Sequence, residues 1–407
     1  MSAARDLAGS TASSATTAAA ARPHALARTR ALLPMIEAAA PRIEADRRLP
    51  PDLLAALHEN ALFRTLLPRD LGGDELPPHE YVRITEAVAS ADASTAWCIG
   101  QASGCSMAAA YMRPEIAREI WGPPNAVVAW GAQYGDAIAV PVPGGYRVTG
   151  TWHFASGGHH ATWFGGHCHV REPDGSLRVD ADGVPIERTM MFPASTAPLK
   201  DVWRVVGLRG TGSDTYSVKD LFVPEEYSVG RDLLEERVLP NPLYKFTSTH
   251  IYCSGFAGVA LGIARGMLDA LIALAREKKP RITRRLLRDS EVLRHQIAEC
   301  EAKLRSARAF LLEALREAWE EAERGEELSL ERRVMIRLAS TSAIHRAKEV
   351  AEVAYHEAGA TAIFESNPFE RRMRDMHAAA QQLQGRTAHI ELCGQYFVGL
   401  QPRMRFL

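Results

Sequence analysis

The stretch GGYRVTGTWHFASGG, residues 144–158, follows a proline and then alternates apolar with polar side chains. Two glycines after a proline favour a tight turn, and alternation with a period of two is typical of a β-strand. Other short β-rich runs, broken by Gly and Pro, extend from about residue 123 to 229. The sequence therefore predicts a small antiparallel barrel or sandwich in the middle of the chain.

Helical patterns flank this β region on both sides. Residues 26–110 carry apolar side chains at intervals of three and four, and long amphipathic runs fill the chain after about residue 241. Gly258, Gly262 and Gly266 share one stripe of the first such run, which would let another backbone approach closely. We predict a mainly α fold with a central β domain. Its parts would be a disordered leader at 1–23, a helical domain at 24–122, a β domain at 123–235 and a four-helix bundle at 236–407.

Composition limits the function classes. A net charge of −1 gives no sign of a basic patch, so neither nucleic acid nor a membrane is an expected partner. The six cysteines include no Cys-x-x-Cys pair, which fits a reducing cytoplasm. The apolar run at 251–275 carries Arg265 and Asp269, and we expect a buried helix there.

Five of the fourteen histidines lie within TWHFASGGHHATWFGGHCHV, residues 151–170. A zinc site needs three or four ligands that converge on one point. His167 and His169 would share one face of a strand, with Cys168 on the other, and His159 and His160 would point apart in a turn. The pattern favours histidines that pack on strands or face solvent, and no metal is expected.

Five motifs in a fixed order resemble the acyl-CoA dehydrogenase superfamily over nearly all of residues 24–407. They are ALHENALFRTLLPRDLGG (56–73), EAVASADASTAW (86–97), GGYRVTGTWHFASGG (144–158), GLRGTGSDTYSVKDLFVPEE (207–226) and ERRMRDMHAAAQQ (370–382). The resemblance implies an N-terminal helical domain, a middle β-barrel and a C-terminal four-helix bundle. It also implies a flavin between the β domain and the bundle, and a homotetramer.

The place of the catalytic carboxylate separates two chemistries within this superfamily. Dehydrogenases carry a proton-abstracting Glu either soon after the Arg-Asp motif or in the first bundle helix. Here those places read MHAAAQQLQG and HIYCSGFAGVALGIAR, and neither contains a carboxylate. TWHFASG and RMRDMHAAAQ are more similar to the monooxygenases that take FMNH2 or FADH2 from a separate reductase. The resemblance implies that the chain uses O2 to hydroxylate or N-oxygenate a specialised metabolite.

The resemblance also assigns site residues. Ser156 would lie beside flavin N5, with Trp152, Phe154 and Trp163 as apolar walls. Phenol hydroxylases of this branch carry histidines where this chain has Cys105 and Gln382, and His377 is close to the second place. The implied flavin contacts are Trp130, Gly131, Ala132, Trp152, Ala155, Ser156, Gly157, Arg209, Arg281, His356 and Gly359. The last three would reach the flavin of a neighbouring subunit.

Alternatives remain open at this stage. Ser156 before two glycines could also simply cap a turn, and Arg209 between glycines would equally suit a solvated turn. An acyl-thioester dehydrogenase with Glu391 as a relocated base is a second function. A flavin-free binding or scaffold protein on the same fold is a third.

Overall fold

The computed structural model describes residues 23–180, 183–281, 283–404 and 407. The leader predicted for residues 1–23 lies outside them, apart from Pro23. The first helices in the described chain are α1 (Ala25–Asp46), α2 (Pro51–Glu59), α3 (Pro78–Ala91), α4 (Ala93–Ser106) and α5 (Pro114–Trp121). Proline opens α2, α3 and α5, where its missing N–H costs no helical hydrogen bond. Asp92 caps α4 by accepting a hydrogen bond from the Thr95 amide at 2.7 Å.

The described strands of the central region form one sheet. They are β1 (Val128–Trp130), β2 (Ala132–Gln133), β3 (Ile138–Val142), β4 (Gly145–His153), β5 (Trp163–Val170), β6 (Glu187–Pro193), β7 (Tyr216–Pro224) and β8 (Ser228–Val229). Their order is β2-β4-β3-β5-β6-β8, with β7 on β4 and β1 on β5. β1 and β3 run parallel to β5, whereas the other pairs are antiparallel, so the sheet is mixed and the antiparallel arrangement predicted from the sequence holds for only part of it. The chain reverses twice between β3 and β5, and this returns β5 to the direction of β3.

The turn between β3 and β4 is the one that the two glycines predict. Val142 pairs with Gly145, and Gly144 has φ +80°, a conformation that favours glycine. β4 pairs with β3 on one edge and β7 on the other. Its Trp152 lies inside the β core, stacked on Tyr216 with ring centroids 5.2 Å apart. The strand thus fixes the loop that follows it, which carries Ser156 toward the helices.

The C-terminal region is helical, as predicted. Its helices are α6 (Ser248–Glu277), α7 (Glu291–Glu323), α8 (Leu330–Ala358), α9 (Pro368–Ala380) and α10 (Ala388–Phe397). The helical spacing of residues 371–399 predicts one final helix, and this is wrong, because the chain turns between α9 and α10. A Cβ on Gly385 would lie 2.5 Å from the Ala380 carbonyl oxygen, so this glycine permits the tight turn through Leu383–Gly385.

The glycine stripe of α6 packs against the backbone of α3. Added Cβ atoms on Gly258, Gly262 and Gly266 would lie 2.9, 2.2 and 2.9 Å from the carbonyl oxygens of Val82, Glu86 and Ser90. The close approach that the stripe predicts is therefore confirmed. This contact joins the N-terminal helices and the bundle into one apolar core.

The length and composition of α6 would also suit a membrane span. In its most apolar window, 61% of the residues are buried inside the fold. The buried helix predicted for this stretch is confirmed, since its apolar surface is covered by other helices.

Gly262→Ala is expected to lower the free energy of unfolding by about 1–3 kcal/mol, because the new methyl group would force α3 and α6 apart. Gly394→Ala in α10 is a suitable control, since a Cβ there meets no atom within 4 Å. It should gain up to about 1 kcal/mol of helix propensity. Urea denaturation measures both changes. A neutral Gly262→Ala variant would contradict the close packing of these helices.

Candidate active site

A cleft of about 630 Å³ lies where α4, α6 and the chain after α9 face the β domain. Its lining residues are Trp97, Gln101, Trp130, Gly131, Ala132, Phe154, Ser156, His167, Trp203, Leu208, Thr211, Ser213, Arg231, Tyr252, Phe256, Ala378, Gln381, Gln382, Leu383 and Gln384. Aromatic rings supply much of this wall, and within the described chain no Asp or Glu lines it. A concave, mostly apolar cavity with a few polar groups is typical of a small-molecule site.

Stacked aromatic rings from two helices form one wall. Trp97 of α4 lies on Phe256 of α6 with ring centroids 3.9 Å apart and planes 11° from parallel. Tyr252, one turn earlier in α6, stacks on Phe256 at 5.7 Å. Rings held in this way form a rigid apolar wall.

Phe154 presents an exposed ring on the β-domain side. Its side chain lines the cleft, the residue is 60% exposed, and its φ is +65°. A bulky residue in this conformation is strained, and such strain is typical of functional sites. Trp203 supports the ring edge-on at 5.9 Å between centroids. This backbone conformation thus leaves a large apolar ring exposed to the cavity.

Ser156 belongs to a chain of hydroxyl groups whose hydrogen-bond directions can be assigned. Thr211 Oγ1 donates to the Leu208 carbonyl at 2.8 Å, so its own proton is committed. Ser213 Oγ, 2.7 Å from Thr211 Oγ1, must therefore donate to it, and Ser156 Oγ, 2.7 Å from Ser213 Oγ, must donate in turn. Trp97 Nε1 donates to Ser156 Oγ at 3.2 Å. Ser156 is left with one lone pair and acts toward the cleft as an acceptor.

A polar cluster of His167, Arg231 and Gln101 lines another part of the cavity. The Arg231 guanidinium lies 5.1 Å from the centre of the Trp130 ring, and His167 meets the same ring edge-on at 5.3 Å. Gln101 Nε2 donates to the Trp130 carbonyl at 3.2 Å. Burial, and then the nearby Arg231 charge, hold the pKa of His167 well below its ordinary value, so this imidazole is neutral at pH 7.

The segment after α9 is fixed from behind by α8. Arg337, almost fully buried, donates to the Gln384 side chain, and Thr341 Oγ1 donates to the Gln384 carbonyl at 3.1 Å. Gln382 Oε1 accepts from the Gln384 amide at 2.7 Å. These bonds hold Gln382 and Gln384 as a preorganised polar edge of the cleft.

The Arg-Asp motif of α9 anchors the β-domain loop that carries Thr211. Asp375 accepts a hydrogen bond from the Leu208 amide at 2.6 Å, and Arg374 Nη1 donates to the Val206 carbonyl at 2.6 Å. Arg374 also pairs with Glu370 and Glu44. The two residues therefore have separate partners, and both act on the position of the same loop.

Asp375→Asn tests the protonation of this buried carboxyl. Burial raises the pKa of Asp375 from 3.8 to about 7. The folded state therefore holds the proton more tightly than the unfolded state, and this contribution to stability is lost as the pH rises from about 4 to 7. The asparagine variant lacks that loss. Relative to that of the parent chain, its free energy of unfolding should therefore rise by roughly 1.4 kcal/mol for each pH unit between about pH 4 and 7.

Denaturation midpoints between pH 5 and 8 measure the trend. Asp220→Asn is the control, because Asp220 is exposed on β7 and its carboxyl stays in water. A stability difference for Asp375→Asn that does not change with pH would contradict the account of this carboxyl.

Several residues predicted from the sequence line the cleft. They are Trp130, Gly131, Ala132, Ser156 and Gln382. Phe154, expected as an apolar wall, lines it as well. The structure thus brings the predicted flavin-facing loops of the β domain and the segment after α9 to one cavity.

Other predicted residues lie just behind the cavity wall. Trp152 and Ala155 are fully buried in the β core, and Gly157 donates its amide to the Thr211 carbonyl at 2.9 Å. Trp163 stacks on Tyr227 instead of facing the cleft. Cys105 is buried behind Tyr252, with Sγ 3.6 Å from its hydroxyl, and burial raises the pKa of this thiol to about 12. These residues support the wall, and none of them lines the cleft.

The remaining predicted residues lie away from the cleft within this chain. Arg209 pairs with Glu44 at 3.4 Å, and His377 lies 3.9 Å from Glu352. Arg281, His356 and Gly359 are exposed, which suits residues that a second subunit would cover. Their contact with a flavin stays a prediction.

Sequence reasoning missed several polar residues of the cavity, among them His167, Arg231 and Gln101. His167 was grouped with the histidines that only pack on strands, yet it lines the cleft. Its neighbours His159 and His160 do not line the cleft: His159 pairs with Asp214 at 2.8 Å, and His160 is half-buried, with a pKa lowered to about 3 by burial of its ring. In the described residues, no group of three or more His, Cys, Asp or Glu could hold a metal ion.

Comparison with known proteins agrees with this architecture. The family descriptions "Acyl-CoA dehydrogenase, N-terminal domain" and "Acyl-CoA dehydrogenase, C-terminal domain" match residues 29–123 and 254–384. The crystal structure of 3-HSA hydroxylase from Rhodococcus sp. RHA1 superposes with a TM-score of 0.85 at 26% identity, covering 95% of this chain and 100% of that one.

The chain belongs to the acyl-CoA dehydrogenase superfamily.

Two curated relatives within this superfamily span most of the chain. Indole-3-acetate monooxygenase of Pseudomonas putida is 29% identical over 365 residues, which is 89% of this chain and 90% of the relative. The oxygenase component of an FADH2-dependent resorcinol hydroxylase from a Rhizobium species is 26% identical, covering 95% and 97% of the two chains. Both names are those of oxygenases, the second of them FADH2-dependent, and neither names a dehydrogenase.

Proposed function

We propose that the cleft binds reduced flavin next to a planar, electron-rich substrate, and that the chain is the oxygenase component of a two-component monooxygenase. Like its relatives, the chain is an oxidoreductase, and it uses reduced flavin and O2. The observation that carries the proposal is a cleft lined by an acceptor-only serine and aromatic rings, of which Phe154 is exposed, and in which no carboxylate lines the described wall. Reduced flavin, when bound, supplies the activation of O2 that side chains cannot perform.

The residues of the cleft fit a flavin. Phe154 offers an exposed ring of suitable size for stacking on a flat tricyclic system. At Gly131 the chain passes so close to β4 that a Cβ would lie 2.0 Å from the His153 carbonyl oxygen. This leaves the backbone of Gly131 and Ala132 on the cleft wall, where backbone groups can bind a ligand. We assign these residues and Ser156 to the flavin.

The direction of the hydroxyl chain favours the reduced form of the flavin. Reduced flavin carries a hydrogen on N5, whereas oxidised flavin has a bare nitrogen there. The free lone pair of Ser156 can accept a hydrogen bond from that N–H, but Ser156 has no spare proton for the oxidised ring. A site of this kind prefers flavin in the reduced form, which is the form that a separate reductase delivers.

The side chains at positions 105 and 382 limit the class of substrate that the site can oxygenate. Cys105 is buried and protonated, and Gln382 is an amide, so neither can remove a proton from a phenol. The stacked rings of Trp97, Phe256 and Tyr252 suit an aromatic body. We therefore favour an electron-rich ring or an amine that accepts oxygen without prior deprotonation, in specialised metabolism.

We further propose a homotetramer in the cytoplasm. Large apolar residues near the end of the bundle are more than half exposed, and they are Ile363, Phe364, Phe397, Val398 and Leu400. Surfaces of this kind are typical of subunit interfaces. Such an interface would also place Arg281, His356 and Gly359 near a neighbouring site. The separate reductase would act by releasing reduced flavin into the cleft.

Anaerobic titration with reduced and oxidised flavin tests the proposal. We expect reduced FMN or FAD to bind at least tenfold more tightly than the oxidised form. Failure of both forms to bind would favour a flavin-free scaffold protein. Bound FAD that is bleached by an acyl thioester would favour a dehydrogenase, although Glu391 is exposed and lies outside the cleft.

A further inference from the structure

Arg231 is the one fully ionised side chain that lines the described part of the cleft. It lies in the loop after β8, and its side chain is largely buried. A buried cation in an aromatic cavity needs a compensating anion. Glu187 pairs with one edge of the guanidinium, with its carboxylate 3.4 Å from Arg231 Nη2, and it leaves other N–H groups of Arg231 to find acceptors.

The hydrogen bonds of Arg231 leave part of the guanidinium free. It has five N–H groups, and Nε donates to Thr189 Oγ1 at 2.9 Å. Nη1 donates to Ser248 Oγ at 3.3 Å, and Nη2 donates to Glu187. Among the described residues, the two remaining N–H groups have no hydrogen-bond acceptor. They belong to a side chain that lines the cavity, and they suit an anionic ligand atom.

Thr189 links Arg231 to His167. Thr189 Oγ1 accepts a hydrogen bond from Arg231, so its own hydroxyl hydrogen is free to donate a hydrogen bond to His167 Nδ1, which lies 2.8 Å away. The neutral imidazole then carries its hydrogen on Nε2. Nothing in the described chain accepts that hydrogen, and His167 lines the cleft. His167 thus adds a second donor beside Arg231.

We propose that Arg231 and His167 together bind a carboxylate of the substrate, and that the substrate is therefore an aromatic acid. The carboxylate accepts hydrogen bonds from the guanidinium and from His167 Nε2, while Trp130 and Tyr252 contact the aromatic body. This inference rests on the proposed function, because it describes the substrate of the same cleft. It assigns Arg231 as the residue that determines substrate charge.

Binding of acids and of their amides tests the inference. The probes are phenylacetate, indole-3-acetate and 2-naphthylacetate, each compared with its primary amide, which keeps the shape and removes the charge. Calorimetry on the full chain, with and without anaerobic reduced flavin, gives the affinity ratio. At least one acid should bind roughly tenfold to a hundredfold more tightly than its amide.

Three variants separate recognition from structural support. Arg231→Gln should bring the ratio of acid to amide affinity close to one, and Arg231→Lys should keep part of it. Arg188→Gln is the matched control, because Arg188 on β6 pairs with Glu236 and does not line the cleft. It should leave the ratio unchanged. A purely structural role for Arg231 would lower the melting temperature without changing the ratio.

Two results would overturn the inference. One is a parent chain that binds no acid more tightly than its amide, and the other is a ratio that survives in Arg231→Gln. Either result leaves the flavin site intact if reduced flavin still binds. Loss of reduced-flavin binding in the parent chain would instead count against the proposed function.

Discussion

Replacing Ser156 with alanine is expected to weaken the binding of reduced flavin by about tenfold and to leave the binding of oxidised flavin almost unchanged. The hydroxyl accepts from Trp97 and donates to Ser213, so the alanine removes an acceptor that faces the cleft. Oxidised flavin has no N5 hydrogen to lose. Anaerobic titration of both flavin forms measures the two affinities.

Ser213→Ala gives the matched test of direction. Without Ser213 Oγ, the Ser156 proton loses its acceptor and can turn into the cleft. Ser156 would then donate to the bare N5 of oxidised flavin. The preference for reduced flavin should shrink in this variant, although Ser156 itself is intact. Equal losses for both flavin forms in Ser156→Ala would contradict the assigned direction of the chain.

Gly207→Val is expected to destabilise the fold and to abolish flavin binding. Even a Cβ at this position would lie 2.1 Å from the Arg374 carbonyl oxygen, so the loop must move away from α9. That movement breaks the hydrogen bond between Asp375 and the Leu208 amide, and Leu208 also anchors Thr211. We expect a loss of about 1–3 kcal/mol from overpacking, with a further loss of order in the hydroxyl chain.

Val206→Ala is the control for that change. Val206 is exposed, and its alanine variant keeps the backbone carbonyl that accepts from Arg374. Thermal unfolding and reduced-flavin titration should show little effect. If Gly207→Val binds flavin as the parent chain does, the α9 contact does not position the site.

Much of the fold could be predicted because local patterns determine it. The two-glycine turn before β4 and the glycine stripe of α6 each depend on neighbouring residues or on one helical face. The parallel pairing of β3 with β5 could not be predicted, because alternation does not reveal which strands become neighbours. The break between α9 and α10 depends on Gly385 packing on Ala380, and helical spacing alone did not indicate it.

The candidate site, too, could be predicted only in part from the sequence. Ser156 and Gln382 lie in motifs that resemble the superfamily, and both line the cleft. Trp152 lies in the same motif, but strand alternation turns it into the β core. Arg231 belongs to none of these motifs. It reaches the cavity from a loop about 75 residues after Ser156 in the chain. Only tertiary contacts with Thr189 and Trp130 reveal its place.

Incorporation of 18O2 tests the central claim most directly. The purified chain, a flavin reductase, NADH and flavin would be incubated with indole-3-acetate, indole or resorcinol under 18O2, and the products analysed by mass spectrometry. The account predicts that at least one probe gains one 18O atom, and that this requires the reductase. Reduced flavin that simply reoxidises with no labelled product from any probe, or product oxygen that comes from water, would contradict it.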